Sequence, residues 1–222
     1  MIDLKGKKWL RSAACGIALL PGLAHAGLSY DEARDATGGD FANAVTVGPW
    51  LSPGTFAGIL GAGGNTLSGT FGGIRGSGSP ADTDVFSFQV PAGYLLTAIH
   101  LDYSVVEGDS IGGSYFGIQE GLAIGTGINT VSSNLSNALI GADAELLAVF
   151  SGPPYAGGDT ELTAPLGAGD YTLFLSETDA VVAYRLDFTL APVPEPESYA
   201  MLLAGLGLLG GIVRGRRRAG PA

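Results

Sequence analysis

Two aspartates stand one residue apart at the head of an apolar run: Asp82 and Asp84 in DTDVFSFQV, just after Gly76-Ser77-Gly78-Ser79-Pro80. Calcium takes about six to eight hard oxygens, and carboxylates beside loop carbonyls supply them. Asp82 and Asp84 are therefore candidate calcium ligands, expected to point outward at one edge of the fold. Asp31, Glu32 and Asp35 form a second acidic patch, and Asp40 follows Gly38-Gly39. No D-x-[DN]-x-[DN]-G loop is present. The same acids would equally serve as caps of turn and strand amides.

Other chemistry finds little support. Nucleophilic catalysis of the Ser-His-Asp kind needs a histidine base. Beyond the first 26 residues there is one, His100, in mid-strand on the polar face. There is no G-x-S-x-G elbow and no H-E-x-x-H, and one histidine without cysteine builds no ordinary zinc site. GAGGNT, starting at Gly61, lacks the third glycine and the Lys-Ser/Thr of a phosphate loop and reads as a turn. Paired carboxylates run glycoside hydrolysis, but the acids are so numerous that chance pairs are expected. No enzymatic activity is predicted. Trp50, Tyr94, Tyr115 and Tyr155 lie near Pro or Gly turns; they either line a sugar-binding face or pack the ends of the fold.

These residues must be held by short strands. The body, residues 27–193, carries 28 of the 37 glycines yet is rich in β-branched and aromatic runs. That composition predicts an all-β domain with many turns rather than disorder. Alternation places Phe86, Phe88 and Val90 on one face, and Leu95, Ile99, Leu101 and Tyr103 on another. Tyr171, Leu173 and Leu175 share a face, as do Tyr184, Leu186, Phe188 and Leu190. Weaker strands are expected over 58–60, 67–74, 114–119 and 145–151. One buried face per strand and no long helical pattern imply an antiparallel sandwich. Its 3 arginines against 18 acids leave a charge of −15, which repels nucleic acid.

DTDVFSFQVPAG resembles the D-x-D-x-[YF]-x-F-x-[VA]-x-x-G signature of bacterial pre-peptidase C-terminal-like domains. LGAGDYTLFLS resembles that family's G-x-Y-x-[LV]-x-[VL] mark, and YRLDFTL its closing strand. The resemblance spans residues 42–190 and implies a jelly-roll-like β-sandwich with an accessory binding or structural role. The Gly-, Ser- and Asn-rich stretch 107–144 departs from the pattern.

Both ends of the chain concern transport. Residues 1–26 open with Lys5, Lys7, Lys8 and Arg11, continue with an uncharged apolar run, and finish with Ala24-His25-Ala26. This is the layout of a secretory signal with an A-x-A cleavage site at Ala24 and Ala26, and implies passage through the Sec translocase. The only cysteine, Cys15, lies inside it, so the exported chain would hold no disulfide. At the other end, residues 191–198 are proline-rich, an extended spacer. Residues 199–213 are free of charge; as a helix they reach about 22 Å, a short membrane span. Residues 214–222 carry Arg214, Arg216, Arg217 and Arg218, which the positive-inside rule keeps in the cytoplasm.

Val193-Pro194-Glu195-Pro196, the apolar stretch and the basic cluster together resemble the PEP-CTERM sorting signal. The resemblance implies recognition by an exosortase, an integral-membrane protease of cysteine-transpeptidase type that cuts near Pro-Glu-Pro. It also implies a Gram-negative host that makes exopolysaccharide, in a biofilm setting. The chain is thus expected to cross the inner membrane, to be held there transiently, and to pass to the envelope or the extracellular matrix. A structural or adhesive role on the cell surface follows. A secreted carbohydrate- or calcium-binding module is the alternative, and a carboxylate-based glycoside hydrolase a more distant one.

Overall fold

The computed structural model of the chain describes residues 26–41, 46–47, 50–51, 54–122, 136–155, 162–193, 201 and 203–207. Its first element is β1 (Ser29–Asp31), followed by the single-turn helix α1 (Glu32–Asp35). A small two-stranded ribbon pairs β2 (Thr46–Val47) with β3 (Trp50–Leu51). Then come β4 (Thr55–Ile59), β5 (Asn65–Gly72), β6 (Thr83–Val90), β7 (Tyr94–Gly108) and β8 (Ser114–Glu120). After them are β9 (Ser136–Ile140), β10 (Ala144–Glu145), α2 (Leu146–Phe150), β11 (Gly169–Ser176) and β12 (Ala180–Pro192).

Two five-stranded sheets result, in the orders β1-β5-β12-β7-β10 and β4-β6-β11-β8-β9. The eight strands from β5 to β12 distribute between them as in a jelly roll, with β1 and β4 added at two edges. The sheets meet through aromatic rings. Phe88 meets Phe188 at a centroid distance of 4.9 Å, Phe71 meets Phe116 edge-on at 5.7 Å, and Phe86 stacks on Tyr184 at 6.3 Å. All these rings are buried, which makes the interior between the sheets one continuous apolar core.

The sheets are mixed rather than purely antiparallel: β1 runs parallel to β5, and β4 parallel to β6. For β4 the reason lies in the connections. The chain reverses into β5 in the opposite sheet and reverses again into β6, so two reversals bring β6 back beside β4 in the same direction. The turn between β4 and β5 is the GAGGN segment, closed by the buried Asn65. Its Oδ1 accepts from the Gly61 and Leu28 amides at 2.7 and 2.9 Å, and its Nδ2 donates to the Gly61 and Gly63 carbonyls. It is a turn staple, as the missing phosphate-loop residues imply.

Three local readings need correction. The apolar run LLAVF, expected as part of a strand over 145–151, forms α2, with Leu146, Leu147 and Phe150 in the core. A short apolar run has no period that separates strand from helix. The inward face of β7 begins with Leu96, fully buried, and not Leu95. A register irregularity against β12 leaves Thr97 as an extra residue and flips the alternation before it. Finally, β12 does not stop before the proline-rich spacer; it pairs with β7 through Pro192, and the Val193 amide donates to the Gly93 carbonyl at 2.8 Å.

The predicted signal, residues 1–26, lies outside the described residues except for Ala26. Of 199–213, positions 201 and 203–207 are helical and exposed. No helix among the described residues is long and apolar enough to cross a membrane.

Candidate metal centre

Asp84 opens the inward face of β6, in step with Phe86, Phe88 and Val90. It is completely buried, contrary to the outward orientation expected of it. The period of two that places the two phenylalanines in the core places Asp84 there too. Its Oδ2 accepts from the hydroxyl of Tyr184, on β12 of the facing sheet, at 2.7 Å. Its Oδ1 is buried and has no hydrogen-bond partner. Asp82, half-buried, sits where β6 meets Gly72 in an isolated bridge, and its Oδ1 is likewise buried without a partner.

The N-terminal segment completes the group. Asp31 caps α1 by accepting from the Arg34 amide, and the helix turns Glu32 inward, where only 4% of it remains exposed. Glu32 Oε1 accepts from the Phe41 amide at 2.9 Å and Oε2 from the Thr70 amide at 2.7 Å. Gly69 makes room for it: a Cβ there would stand 2.6 Å from Glu32 Oε2 and 2.8 Å from the Tyr184 hydroxyl. Phe41 wedges the segment in place, stacked on Tyr30 at 5.3 Å and against Phe86 at 4.8 Å. Glu32, Asp40, Asp82 and Asp84 thereby bring one carboxylate oxygen each within 4.8 Å of one another.

The electrostatics follow from burial and like charge. Burial, then the nearby Glu32 charge, pushes the Asp84 carboxyl up to about 9, against the lowering hydrogen bond from Tyr184. Burial and Asp40 push Asp82 up to about 6. Burial also raises Glu32, against the two amides that favour its charged form. Tyr184 is raised by burial and by Asp84. Among the described residues, no basic side chain balances these groups. The three arginines of residues 27–193 pair elsewhere: Arg34 with Asp35, Arg75 with Asp179, Arg185 with Asp187.

Two members of the expected N-terminal acidic patch therefore stay out of the cluster. Asp31 caps α1 and accepts from Ser68 Oγ, and Asp35, bonded to Arg34, falls to about 2. Other acids do cap amides: Asp143 accepts from the Tyr103 amide and Glu145 from the Ile99 amide along the side of β7 that faces the short β10. His100 is exposed on β7, with Nε2 3.4 Å from Asp102 Oδ1. The three described aromatics of the expected set share no exposed face. Tyr115 is buried against Phe174, Tyr94 packs on the core, Tyr155 is exposed, and the Trp50 side chain lies outside the described part.

The sequence reading missed a second polar centre. Glu177, in the tight turn between β11 and β12, accepts from Ser110 and Ser114 hydroxyls and from the Thr178 and Asp179 amides. Tyr103 joins both serines. Of the residues expected to serve transport, Ala26 and Val193 are exposed at the two ends of the body. Ala24, Pro194, Glu195, Pro196, Arg214, Arg216, Arg217 and Arg218 lie outside the described residues.

A family described as the PEP-CTERM protein-sorting motif matches residues 192–218. That motif implies an exosortase as processing partner, with export and membrane-linked sorting in a Gram-negative bacterium. No curated protein and no solved structure matches the chain. The β-sandwich is consistent with a pre-peptidase C-terminal-like body, but no similarity to that family is shown.

Proposed function

We propose that this chain is an exosortase substrate whose acidic sandwich is delivered to the cell envelope or the extracellular matrix, where it serves a structural or adhesive role. The observation that carries the reading is the sorting motif over 192–218, which begins at the last paired residue of β12. The body therefore ends where the signal starts. Pro194 and Pro196 lack amide donors and hold φ near −65°, so the chain beyond Val193 cannot continue as a central strand. A stiff, extended Pro-Glu-Pro segment suits a protease at the membrane surface. Residues 199–213 and the arginines at 214, 216, 217 and 218 hold that segment in register until it is cut. Residues 1–26 bring the chain to the Sec translocase. The body that follows has no cysteine and carries a strong negative charge, so it needs no disulfide formation and stays soluble after release.

The test is to replace Pro194-Glu195-Pro196 with Ala-Gln-Ala and follow both the size and the location of the body in a host that has an exosortase. Accumulation of a longer, membrane-retained form is expected. Processing and release indistinguishable from the original would refute the reading.

A further inference from the structure

We propose that Glu32, Asp40, Asp82 and Asp84 form a calcium site that fastens the N-terminal segment to the sandwich. The ligand set spans separate parts of the fold. Glu32 and Asp40 belong to the segment around α1, while Asp82 immediately precedes β6 and Asp84 lies in it. Two buried oxygens in this cluster, Asp82 Oδ1 and Asp84 Oδ1, have no hydrogen-bond partner. A buried oxygen left unpaired costs about 1–3 kcal/mol, and a cation bound between these two would satisfy both. The arginines of the body are committed to other acids, so no described residue offers a counter-charge.

The chemistry selects the ion. All four donors are carboxylate oxygens, and neither histidine nor cysteine joins them, which disfavours zinc and copper. Oxygens all within 4.8 Å of one another fit inside the span of two calcium–oxygen bonds of about 2.4 Å each. Magnesium demands near-ideal octahedral geometry and keeps several waters, which four converging carboxylates suit less well. Asp40 and Asp82 are half-buried, which leaves one side open for water to complete the shell. Glu32 is already oriented by the Phe41 and Thr70 amides, and Asp84 by Tyr184, so little freedom is lost on binding. The site stands independently of the sorting reading, because it is assayed on purified protein whatever its route of export.

The experiment measures thermal unfolding of the purified full-length chain, first stripped with chelator, with calcium or magnesium added. Calcium at a hundredfold excess over Kd is expected to raise the midpoint by about 5–10 °C, and magnesium by clearly less. Asp84→Asn is expected to remove the shift. Asp40→Asn, at the open rim where folding is less at risk, is expected to weaken calcium at least tenfold, whereas Asp109→Asn, away from the cluster, leaves it unchanged. Calcium is also expected to slow proteolysis around residues 26–41. An unmoved midpoint at about 10 mM calcium, above the ~0.1–1 mM range of extracellular sites, would overturn the proposal. So would an undiminished shift in Asp40→Asn, which would mark diffuse attraction to an acidic surface.

Discussion

Replacing Glu177 with glutamine opens a network that is closed at each carboxylate oxygen. Oε2 accepts from Ser110 Oγ at 2.7 Å and Ser114 Oγ at 2.8 Å, and Oε1 accepts from the Thr178 and Asp179 amides at 2.7 and 3.0 Å. Glutamine keeps an oxygen for the two amides. Its NH2 group, however, meets two hydroxyls that donate in the native arrangement, and both must turn around. The Tyr103 hydroxyl, 2.9 and 2.7 Å from the same serines, must be served again as well. Bonds to a charged acceptor contribute about 1.5–3 kcal/mol each against about 1 for neutral ones, so a net loss of about 2 kcal/mol is expected. For a body of this size that is a fall of about 4–8 °C in Tm. The pH dependence sharpens the test. Burial alone would raise the Glu177 carboxyl, but the hydrogen bonds from Asp179, Ser110, Ser114 and Thr178 outweigh it and hold the carboxyl below its usual range. A lowered folded pKa contributes stability that is present above the unfolded value of about 4.3 and is lost as pH falls through the folded value. Urea unfolding of the full-length chain from pH 7 down to pH 3 should therefore show the native and Glu177→Gln midpoints converging in acid, with equal slopes m. A gap that is absent at pH 7, or that stays constant down to pH 3, refutes the reasoning.

Phe41→Ala removes a ring only 1% exposed, lodged between Tyr30 and Phe86; a loss of about 3–5 kcal/mol is expected by denaturant titration, with faster proteolysis near α1. Gly72→Ala should cost more than a turn glycine. Gly72 has φ 107° and its added Cβ would stand 2.1 Å from the Ala180 carbonyl oxygen, whereas Gly112, at φ 92°, has open space around it. Strain at positive φ costs about 1–3 kcal/mol in both, and only Gly72→Ala must also move the backbone of β12; equal midpoints for the two variants would contradict that difference.

Much of the scaffold was legible in local sequence, because a strand with one buried face writes its period into neighbouring residues. Phe86, Phe88 and Val90, Tyr171, Leu173 and Leu175, and Tyr184, Leu186 and Phe188 are all buried on the faces that alternation assigns them. The sorting motif was legible for a different reason: it acts as a linear segment, so order and spacing carry its meaning without a fold around it. The details that alternation cannot encode were lost. The extra residue Thr97 moves the core position from Leu95 to Leu96, and LLAVF satisfies either a helix or a strand until β7 packs against it.

The acidic cluster divides in the same way. Asp82 and Asp84 stand out in the sequence because they are one residue apart at the head of a strong strand, yet Asp84 points inward rather than outward. An aspartate is ordinarily exposed, and the fixed two-residue period of β6, anchored by Phe86 and Phe88, overrides that preference. Nothing local links Glu32 and Asp40 to this pair. They meet it because α1 turns one carboxylate inward, Gly69 leaves room for it, and Phe41 closes the segment onto the core. Glu177 likewise gains its partners only when the β11–β12 turn reaches Ser110 and Ser114. Composition, strand periods and the sorting motif at the C-terminal end were thus determined by the sequence alone. Which acids share a buried space, and which keep a free oxygen there, was decided by tertiary packing, since like charges are held together only by contacts made far away along the chain.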